Sequence, residues 1–386
     1  MTTAQDATVK APVRNVAWIR SALQTAIELE HSTLPVYTSA MLSLQVQNFT
    51  SYNAIRSVLM EEMVHMSIAA NMLAAIGGRP RIKDLDPKFP SHGLPGGVEP
   101  DLHIGLAKLS KAQLRNFMRL ESPLFLLPEE YGHEDFPTIG KLYSRIRDAI
   151  VANAAELRAA VQGGGVANQV GDNIGFKTIV PTPGVDPVDQ LLEGIAEILE
   201  QGEGATSGTI RTGAAFQNEE SHYGKFAELW YGRAYREPEP AVPLTPETEA
   251  VHFQGAKIAW PEVVNTLAVP SDGYEKLLAE DPDGKEIRES LLVFDQDYTD
   301  MMGHLDAMWN GDPDTQWPTF GEAVHNMMKL RVFSSFTFMQ RQIPPALVDD
   351  LPRLYPAEFG FLHQYTDLDR PVFYGPRFRN LAAPQS

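Results

Sequence analysis

Cysteine is absent from the 386-residue sequence. Disulfides, thiolate metal ligands and cysteine nucleophiles are therefore excluded, and any metal site must consist of oxygen and imidazole nitrogen donors, which suit iron or manganese better than a softer metal. Long apolar runs are also absent. No stretch approaches the ~20 apolar residues of a membrane-spanning helix, and residues 1–12 contain no apolar core typical of a signal peptide. We therefore expect a cytoplasmic protein without a membrane partner.

Positive charge is scarce. The chain has 32 Lys and Arg residues against 50 Asp and Glu residues, which gives a formal net charge of −18. Neither nucleic acid nor an anionic membrane surface attracts so acidic a protein, so both are disfavoured as partners. The hydrophobic fraction of 43% is that of a folded protein, and the length allows one large domain or two ordinary ones.

Strand signals are few as well, and apolar residues recur at helical spacing through most of the chain. We predict an all-α fold with a flexible lead-in at residues 1–14, a helical bundle at 15–236, and a C-terminal helical extension at 237–386 packed on the bundle. Residues 80–105 are rich in Pro and Gly and predict a long inserted loop. The predicted helices are residues 16–47, 52–75, 110–121, 138–161, 186–201, 216–231, 285–310 and 320–342.

One repeated pattern in these helices carries chemistry. Glu62 and His65 are three residues apart in one predicted helix, and Glu219 and His222 repeat the spacing in another. Residues at this spacing lie one turn apart on the same helix face, where a carboxylate and an imidazole can bind one metal ion or bridge two. Two Glu-x-x-His helices, with one glutamate from each of two further helices, form the ligand set of di-iron and di-manganese bundles.

Two further glutamates can complete this set. Glu30 falls on the apolar stripe of the first helix, where an unpaired carboxylate is costly. Glu28 lies about 200° away around that helix and is the alternative. Glu203 continues the apolar stripe of its own helix, and because it ends that helix while Glu219 begins the next, antiparallel packing would bring the two to the same level. Glu121, at the end of a short helix, is the alternative for the fourth carboxylate.

Other polar residues have simpler interpretations. Glu322 and His325 repeat the motif a third time, and a polar pair on a helix surface accounts for them. A solvated helix face accounts for three more side chains, namely Asp297, Asp300 and His304. Side chains beside the proposed ligands either donate hydrogen bonds to them or pack; these are His31, Tyr37 and Tyr223. A competing interpretation of the motifs places Glu62 and Glu219 in surface salt bridges and each motif histidine in the core.

Several stretches match a known family in combination. They are residues 23–37, 61–65, 71–73, 94–97, 201–204, 221–223 and 375–378, together with Pro90, Glu121, Pro123 and Phe226. Over nearly its whole length the chain resembles the ferritin-like domain family of the iminophenylpyruvate dimer synthases, enzymes that make chromopyrrolate-type intermediates in violacein and rebeccamycin biosynthesis. The resemblance implies a ferritin-like four-helix bundle with a non-haem dinuclear metal site. The chain lacks the large extra region of the pathway synthases, so the resemblance does not extend to the dimerisation reaction itself.

The predicted site consists of six metal ligands, which are also the predicted catalytic residues: Glu30, Glu62, His65, Glu203, Glu219 and His222. We expect Glu62 and Glu219 to bridge two iron ions, with manganese or a mixed pair as the alternative. His65 and His222 would each cap one metal, and Glu30 and Glu203 would complete opposite sides.

The predicted function is the oxidation of a small aromatic or amino-acid-derived molecule with O2 or peroxide in natural product biosynthesis. The resemblance makes oxidative coupling of an imine of an aromatic 2-oxo acid, supplied by an amino-acid oxidase, the first reaction to consider. A ferroxidase or other metal-handling protein without an organic substrate is the alternative, and a scaffold protein with an inactive site is the third interpretation. The sequence leaves homo-oligomerisation open.

Overall fold

Helices dominate the structure, a computed structural model that describes residues 14–45, 49–127, 138–162, 169–171, 174, 177–180, 182–205 and 208–384. The expected all-α class is confirmed. The lead-in expected at residues 1–14 lies, except for Arg14, outside the described residues. The α-helices of the described part are α1 (Val16–Leu42), α2 (Phe49–Ala75), α3 (Lys111–Leu120), α4 (Ile139–Ala152), α5 (Ala154–Gln162), α6 (Pro187–Glu203), α7 (His222–Tyr231), α8 (Glu275–Glu280), α9 (Gly284–Asn310), α10 (Gln316–Phe336), α11 (Pro345–Asp349), α12 (Leu351–Leu354) and α13 (Phe359–Tyr365). None of the described helices combines the length and the apolar character that a membrane crossing requires.

A bundle of four helices, α1, α2, α4 and α6, forms the core of the N-terminal part. Helix α1 contacts α2 and α4, and α6 contacts the same two helices. One stripe of α1 is fully buried in this bundle, including Ile19, Leu23 and Ile27. Each such side chain contributes about 1.5–3 kcal/mol by leaving water. Polar side chains that fall on the same stripe are thereby held in the bundle interior.

Helices α3 and α7 pack against each other beside the bundle, and α7 also contacts α2 and α6. The sequence predicted that α7 begins near residue 216, but it begins at His222 because Ser221 is the N-cap, whose hydroxyl accepts a hydrogen bond from the backbone N–H of Gly224. Gln217 and Asn218 have φ values of 61° and 52°, which are left-handed rather than helical. The chain therefore enters α7 only after Glu219.

The sequence predicts a single helix over residues 138–161. The structure has two helices there, α4 and α5, because the helix is interrupted at Asn153. The side-chain amide of Asn153 donates hydrogen bonds to the carbonyl oxygens of Ala149 (2.7 Å) and Arg14 (2.8 Å). Local side-chain hydrogen bonds of this kind compete with the helical ladder and favour a helix end.

The excursion predicted at residues 80–105 contains a hairpin of two antiparallel strands, β1 (Ser91–Leu94) and β2 (Val98–Ile104). Gly93 is required in this hairpin, because its φ of 68° is left-handed and a Cβ atom there would lie 2.6 Å from the carbonyl oxygen of Val98. The strands turn back over three residues, Pro95–Gly97, and this turn packs against α1.

The C-terminal helices include an α9–α10 pair that contacts the bundle through specific polar groups. The indole N–H of Trp309 in α9 donates to the side-chain oxygen of Asn71 in α2 (2.8 Å). The hydroxyl of Tyr298 lies 2.8 Å from Nε2 of His31 in α1, and both side chains are buried. These contacts are compatible with the expected extension at 237–386, whose boundary stays a prediction.

Candidate metal centre

The centre of the site is a buried group of three side chains from α2 and α7. Glu62 and His65 stand one turn apart on α2, with Nδ1 of His65 3.9 Å from Oε2 of Glu62. His222, the first residue of α7, brings its Nδ1 to 2.8 Å from Oε1 of Glu62. One ligand atom of each lies within 4.8 Å of the other two, and the two imidazoles stack at 5.2 Å. The sequence-predicted ligands of α2 and α7 therefore converge.

Glu30 joins this group from α1, as the sequence predicted from its place on the apolar stripe. It is buried, its carboxyl group contacts that of Glu62, and the hydroxyl of Tyr143 in α4 donates a hydrogen bond to it. Burial and the charge of Glu62 raise the pKa of Glu30 well above its usual value. Burial also opposes the ionisation of Glu62, but the hydrogen bond from Glu30 and the charge of His222 lower the pKa of Glu62 to about 2.

After Glu30, Glu121 is the second carboxylate that contacts the central group of Glu62, His65 and His222. It is the C-cap of α3 and is buried, with Oε2 3.4 Å from Nδ1 of His222, and it accepts a hydrogen bond from the hydroxyl of Tyr37 in α1. Burial and the charge of Glu62 raise the pKa of Glu121. The residue that the sequence offered only as an alternative therefore lies in direct contact with a central histidine.

Glu203 lies at the edge of the group, as the last residue of α6. Its carboxyl group fits against Gly140 of α4, where any side chain would collide with it. Burial and the charge of Glu121 raise the pKa of Glu203 to about 8. Glu203 is thus near Glu121, and no hydrogen bond joins it to the histidines in the described part of the chain.

Glu219 is the predicted ligand that the structure places apart from the others. Its side chain is 54% exposed and its carboxylate lies 3.7 Å from Nζ of Lys225. The physical reason is the start of α7: since the chain before Ser221 is not helical, Glu219 does not share a helix face with His222. The predicted bridging role of Glu219 therefore has no geometric support.

Glu61, which the sequence analysis did not single out as a ligand, lies beside the other ring nitrogen of His222. Its Oε2 lies 2.9 Å from Nε2 of His222, and its two oxygens accept hydrogen bonds from Nζ of Lys225 at 2.7 and 2.9 Å. Burial opposes the ionisation of Glu61, but His222 and Lys225 lower its pKa to about 2. Lys225 follows His222 by three residues, which is the one sequence signal that could have predicted this contact.

The other central histidine is held in a similar way. Nε2 of His65 lies 2.7 Å from the side-chain oxygen of Gln201 in α6. Gln201 stands two residues before Glu203, so α6 reaches the site with both side chains. Burial lowers the pKa of His65 to about 4, which keeps the ring neutral and its nitrogen available to a metal.

The remaining candidates lie elsewhere. Glu28 accepts a hydrogen bond from Gln24. Tyr223 donates to Glu249, and His31 contacts Tyr298, so of the three side chains beside the proposed ligands only Tyr37 reaches the cluster. The three polar candidates on α9 pair with neighbours: Asp297 with Lys329, Asp300 with Gln296, and His304 with Asn326. Glu322 and His325 are not buried.

The donor set fits a metal ion. Nδ1 of His222 is buried close to two carboxylates but is not aligned for a hydrogen bond with either. Its other nitrogen faces Glu61, as expected for a ring that a carboxylate orients. Burial opposes the protonation of His222, but the charge of Glu62 and the contacts with Glu121 and Glu61 raise its pKa well above the usual value, so a metal bound at Nδ1 would replace the proton there. Carboxylate oxygen and imidazole nitrogen are donors that iron and manganese accept.

Comparisons with known proteins agree with this fold. A model of the family described as Ferritin-like matches residues 23–231, more than half of the chain. Among solved structures, the fold is similar to the crystal structure of a ferritin-like protein from Caulobacter vibrioides, with a TM-score of 0.56 and 19% identity over 83% of this chain and 97% of that chain. At that identity the likeness shows the fold. No curated protein matches the sequence.

Proposed function

Because this chain belongs to the Ferritin-like family, we propose that its buried carboxylate–imidazole cluster binds two metal ions, iron or manganese, and that the loaded protein oxidises a small organic molecule. The observation that carries the proposal is the convergence of Glu62, His65 and His222 in the protein interior. Glu30 and Glu121 contact this group from two further helices. The set of three glutamates and two histidines is close to that of the dinuclear carboxylate bundles.

Electrostatics supports binding of cations. Several carboxyl groups share one buried region, and burial, together with their mutual repulsion, raises the pKa values of Glu30, Glu121 and Glu203. Burying carboxylates without a counter-charge is costly. Two divalent cations would supply that counter-charge and allow all these groups to ionise, since a bound ion reverses the local pKa shifts.

The protein's own contribution is to hold and orient the donors. Tyr143 fixes one oxygen of Glu30, and Tyr37 fixes one oxygen of Glu121. Gln201 orients the ring of His65, and Glu61 orients that of His222. When bound, the metals would supply the oxidising power together with O2 or peroxide. The packed helices around the cluster keep bulk water away from it.

The substrate class rests on the sequence motifs. Their resemblance to the iminophenylpyruvate dimer synthases makes an imine of an aromatic 2-oxo acid the first candidate, formed by a separate amino-acid oxidase. We propose an aromatic or amino-acid-derived substrate in natural product biosynthesis on this basis. The C-terminal helices packed on α1 and α2 support an enzyme rather than a storage protein, because a bundle alone suffices to store metal.

Metal analysis of single variants tests the proposal. Purified protein should contain close to two iron or manganese ions per chain, and Glu62→Ala and His222→Ala should lose them. Glu219→Ala is the matched control, because this glutamate belongs to the same sequence motif but is exposed, and it should retain metal. Two metals per chain in both Glu62→Ala and His222→Ala would refute the site.

Activity and particle size separate the enzyme from the alternative. The loaded protein should consume O2 or peroxide in proportion to an added aromatic imine or amino-acid-derived substrate, and Glu62→Ala should not. A large cage that takes up hundreds of iron ions per particle, with no dependence on organic substrate, would instead establish metal handling.

A further inference from the structure

A cavity lies at the ends of α3 and α7 that are remote from the metal centre. It has a volume of about 550 Å³ and opens where α1 ends and α3 begins. Among the residues that line it are Lys108, Lys111, Trp260, Glu262 and Arg370. Its size is in the range of sites for small organic molecules.

The lining of the cavity is mainly positive, although the protein as a whole is acidic. The chain as a whole carries −18, yet three cations and one carboxylate line this space. Asp367 and Arg370 are the charged groups that act on Lys108, and burial lowers the pKa of Lys108. Even with Asp367 included, the local balance is positive, which is the condition for attracting an anion to an acidic protein.

Two of the cations that line the cavity have neither an ionic partner nor a hydrogen-bond acceptor among the described residues. In the described part of the chain, neither Lys108 nor Arg370 forms an ion pair with a carboxylate, and neither side chain donates a hydrogen bond. Lys111 is different, because its ammonium group donates to the carbonyl oxygens of Leu229 and Trp230 at the end of α7. Lys108 and Arg370 are therefore available to an incoming anion, while Lys111 is fixed in place.

An exposed aromatic ring stands beside these cations. Trp260 is 44% exposed, and Nζ of Lys111 lies 4.7 Å from the centre of its ring. A large apolar side chain that stays in contact with water at the wall of a cavity offers a surface for a flat ligand.

This cavity is separate from the metal centre. Helix α3 begins at the cavity and ends next to Glu121, and ten residues of helix span about 15 Å. Helix α7 runs between the same two places, from His222 at the centre to the carbonyl groups that hold Lys111. A ligand in the cavity would thus lie about three helical turns from the metals.

We propose that this cavity binds a small organic anion, a carboxylate or phosphate carried on an aromatic ring. Lys108 and Arg370 receive the anionic group, and Trp260 packs against the ring. Charge-assisted hydrogen bonds from an ammonium and a guanidinium group are the strong contacts of such a site. The proposal is independent of the metals and goes beyond the oxidation proposed above.

Calorimetric titration with defined probes tests it. Phenyl phosphate and benzoate should bind the full-length protein at one site per chain, and inorganic phosphate should bind more weakly. The more tightly bound of the two aromatic probes identifies the preferred anionic group. Lys108→Ala and Arg370→Ala should each weaken this binding by about tenfold or more, since hydrogen bonds to charged groups contribute about 1.5–3 kcal/mol. Trp260→Ala should weaken the aromatic probes but leave inorganic phosphate unchanged.

Two controls make the result decisive. Lys285→Ala removes the same charge from the exposed surface of α9 and should leave binding unchanged, which distinguishes a site from general attraction. Anions can also ligate metals directly, and Glu62→Ala tests this because it removes the proposed metal centre. Binding of the probes in the cavity should be unchanged in this variant. Binding that disappears in Glu62→Ala, that falls equally in Lys285→Ala, or that is not detected for any probe would overturn the proposal.

Discussion

Nε2 of His222 lies 2.9 Å from Oε2 of Glu61, and Nζ of Lys225 holds that same carboxylate at 2.7 and 2.9 Å. The three groups form a chain from the partly exposed edge of α2 to the buried cluster. A ring whose N–H is held by a carboxylate presents its other nitrogen in one fixed direction. Here that nitrogen is Nδ1, which faces Glu62 and Glu121.

We predict that Glu61→Ala lowers metal affinity by about 10- to 100-fold although it removes none of the proposed ligands. Without Glu61 the ring of His222 can rotate, and Lys225 loses its partner. Glu61→Gln should have a smaller effect, because its amide oxygen can still accept from the ring. Competition with a chelator measures the affinities. Wild-type affinity in Glu61→Ala, or an equal loss in the control Glu28→Ala, would contradict the role.

The two buried tyrosines give a second prediction. Tyr143 donates to Glu30 and Tyr37 donates to Glu121, so Tyr→Phe at either position leaves a buried carboxyl oxygen without its donor. We expect each substitution to lower the free energy of unfolding of the chelator-treated protein by about 1–3 kcal/mol. Tyr52→Phe is the control, since its ring lies under Arg331 and its hydroxyl forms no hydrogen bond among the described residues. Urea denaturation measures the difference, and equal effects at Tyr52 and Tyr143 would contradict the assignment.

A third prediction concerns pH and Glu203. Its pKa in the folded protein is about 8, against an ordinary value of 4.5. The folded state therefore binds this proton more tightly, so the stabilising contribution is complete below about pH 4.5 and is lost as the pH rises towards 8. Over that window chelator-treated wild-type protein should lose more stability than Glu203→Gln, by up to about 1.4 kcal/mol per pH unit. Denaturation at pH 5, 6.5 and 8 tests this, and parallel pH curves for the two proteins would contradict it.

Helical periodicity predicted a large part of the site. Glu30 falls on a stripe of otherwise apolar residues, and a side chain on such a stripe must enter the core whichever helix packs against it. Glu62 and His65 are predicted from their Glu-x-x-His spacing on one helix face. His222 was predicted from its motif and also reaches the core. The oxidative function and the metal stay predictions, because apolar periodicity carries no information about either.

The rest of the site depends on packing that the sequence does not display. Glu219 was assigned by motif spacing, which holds only within a helix, and Ser221 begins the helix two residues too late for it. A serine at that position is itself an N-cap signal, so this error was avoidable. The sequence favours Glu203 over Glu121 because Pro123 ends the short helix of Glu121. Its contact with His222 depends on the packing of α3 against α7, which the sequence does not display.

The motif at residues 375–378 gives the last prediction. Arg377 is buried there and forms an ion pair with Asp295 of α9 at 2.7 Å, while both side chains are almost completely inaccessible. The guanidinium also donates to the carbonyl oxygen of Gly273 and to Glu275. Burial raises the pKa of Asp295 against the opposing effect of Arg377, so the carboxylate depends on this partner for its charge.

Removing one member of a buried pair leaves the other charge uncompensated, which costs about 3–5 kcal/mol. Asp295→Ala should therefore lower the free energy of unfolding by this amount, as measured by urea denaturation. The double variant Asp295→Leu with Arg377→Met removes both charges and should recover much of the loss. Metal content should stay at the wild-type level in the folded fraction of both proteins, since the pair contacts none of the proposed ligands. A single variant as stable as wild type would show that the pair does not hold the chain end to α9, and selective loss of metal from folded protein would show that it acts on the centre.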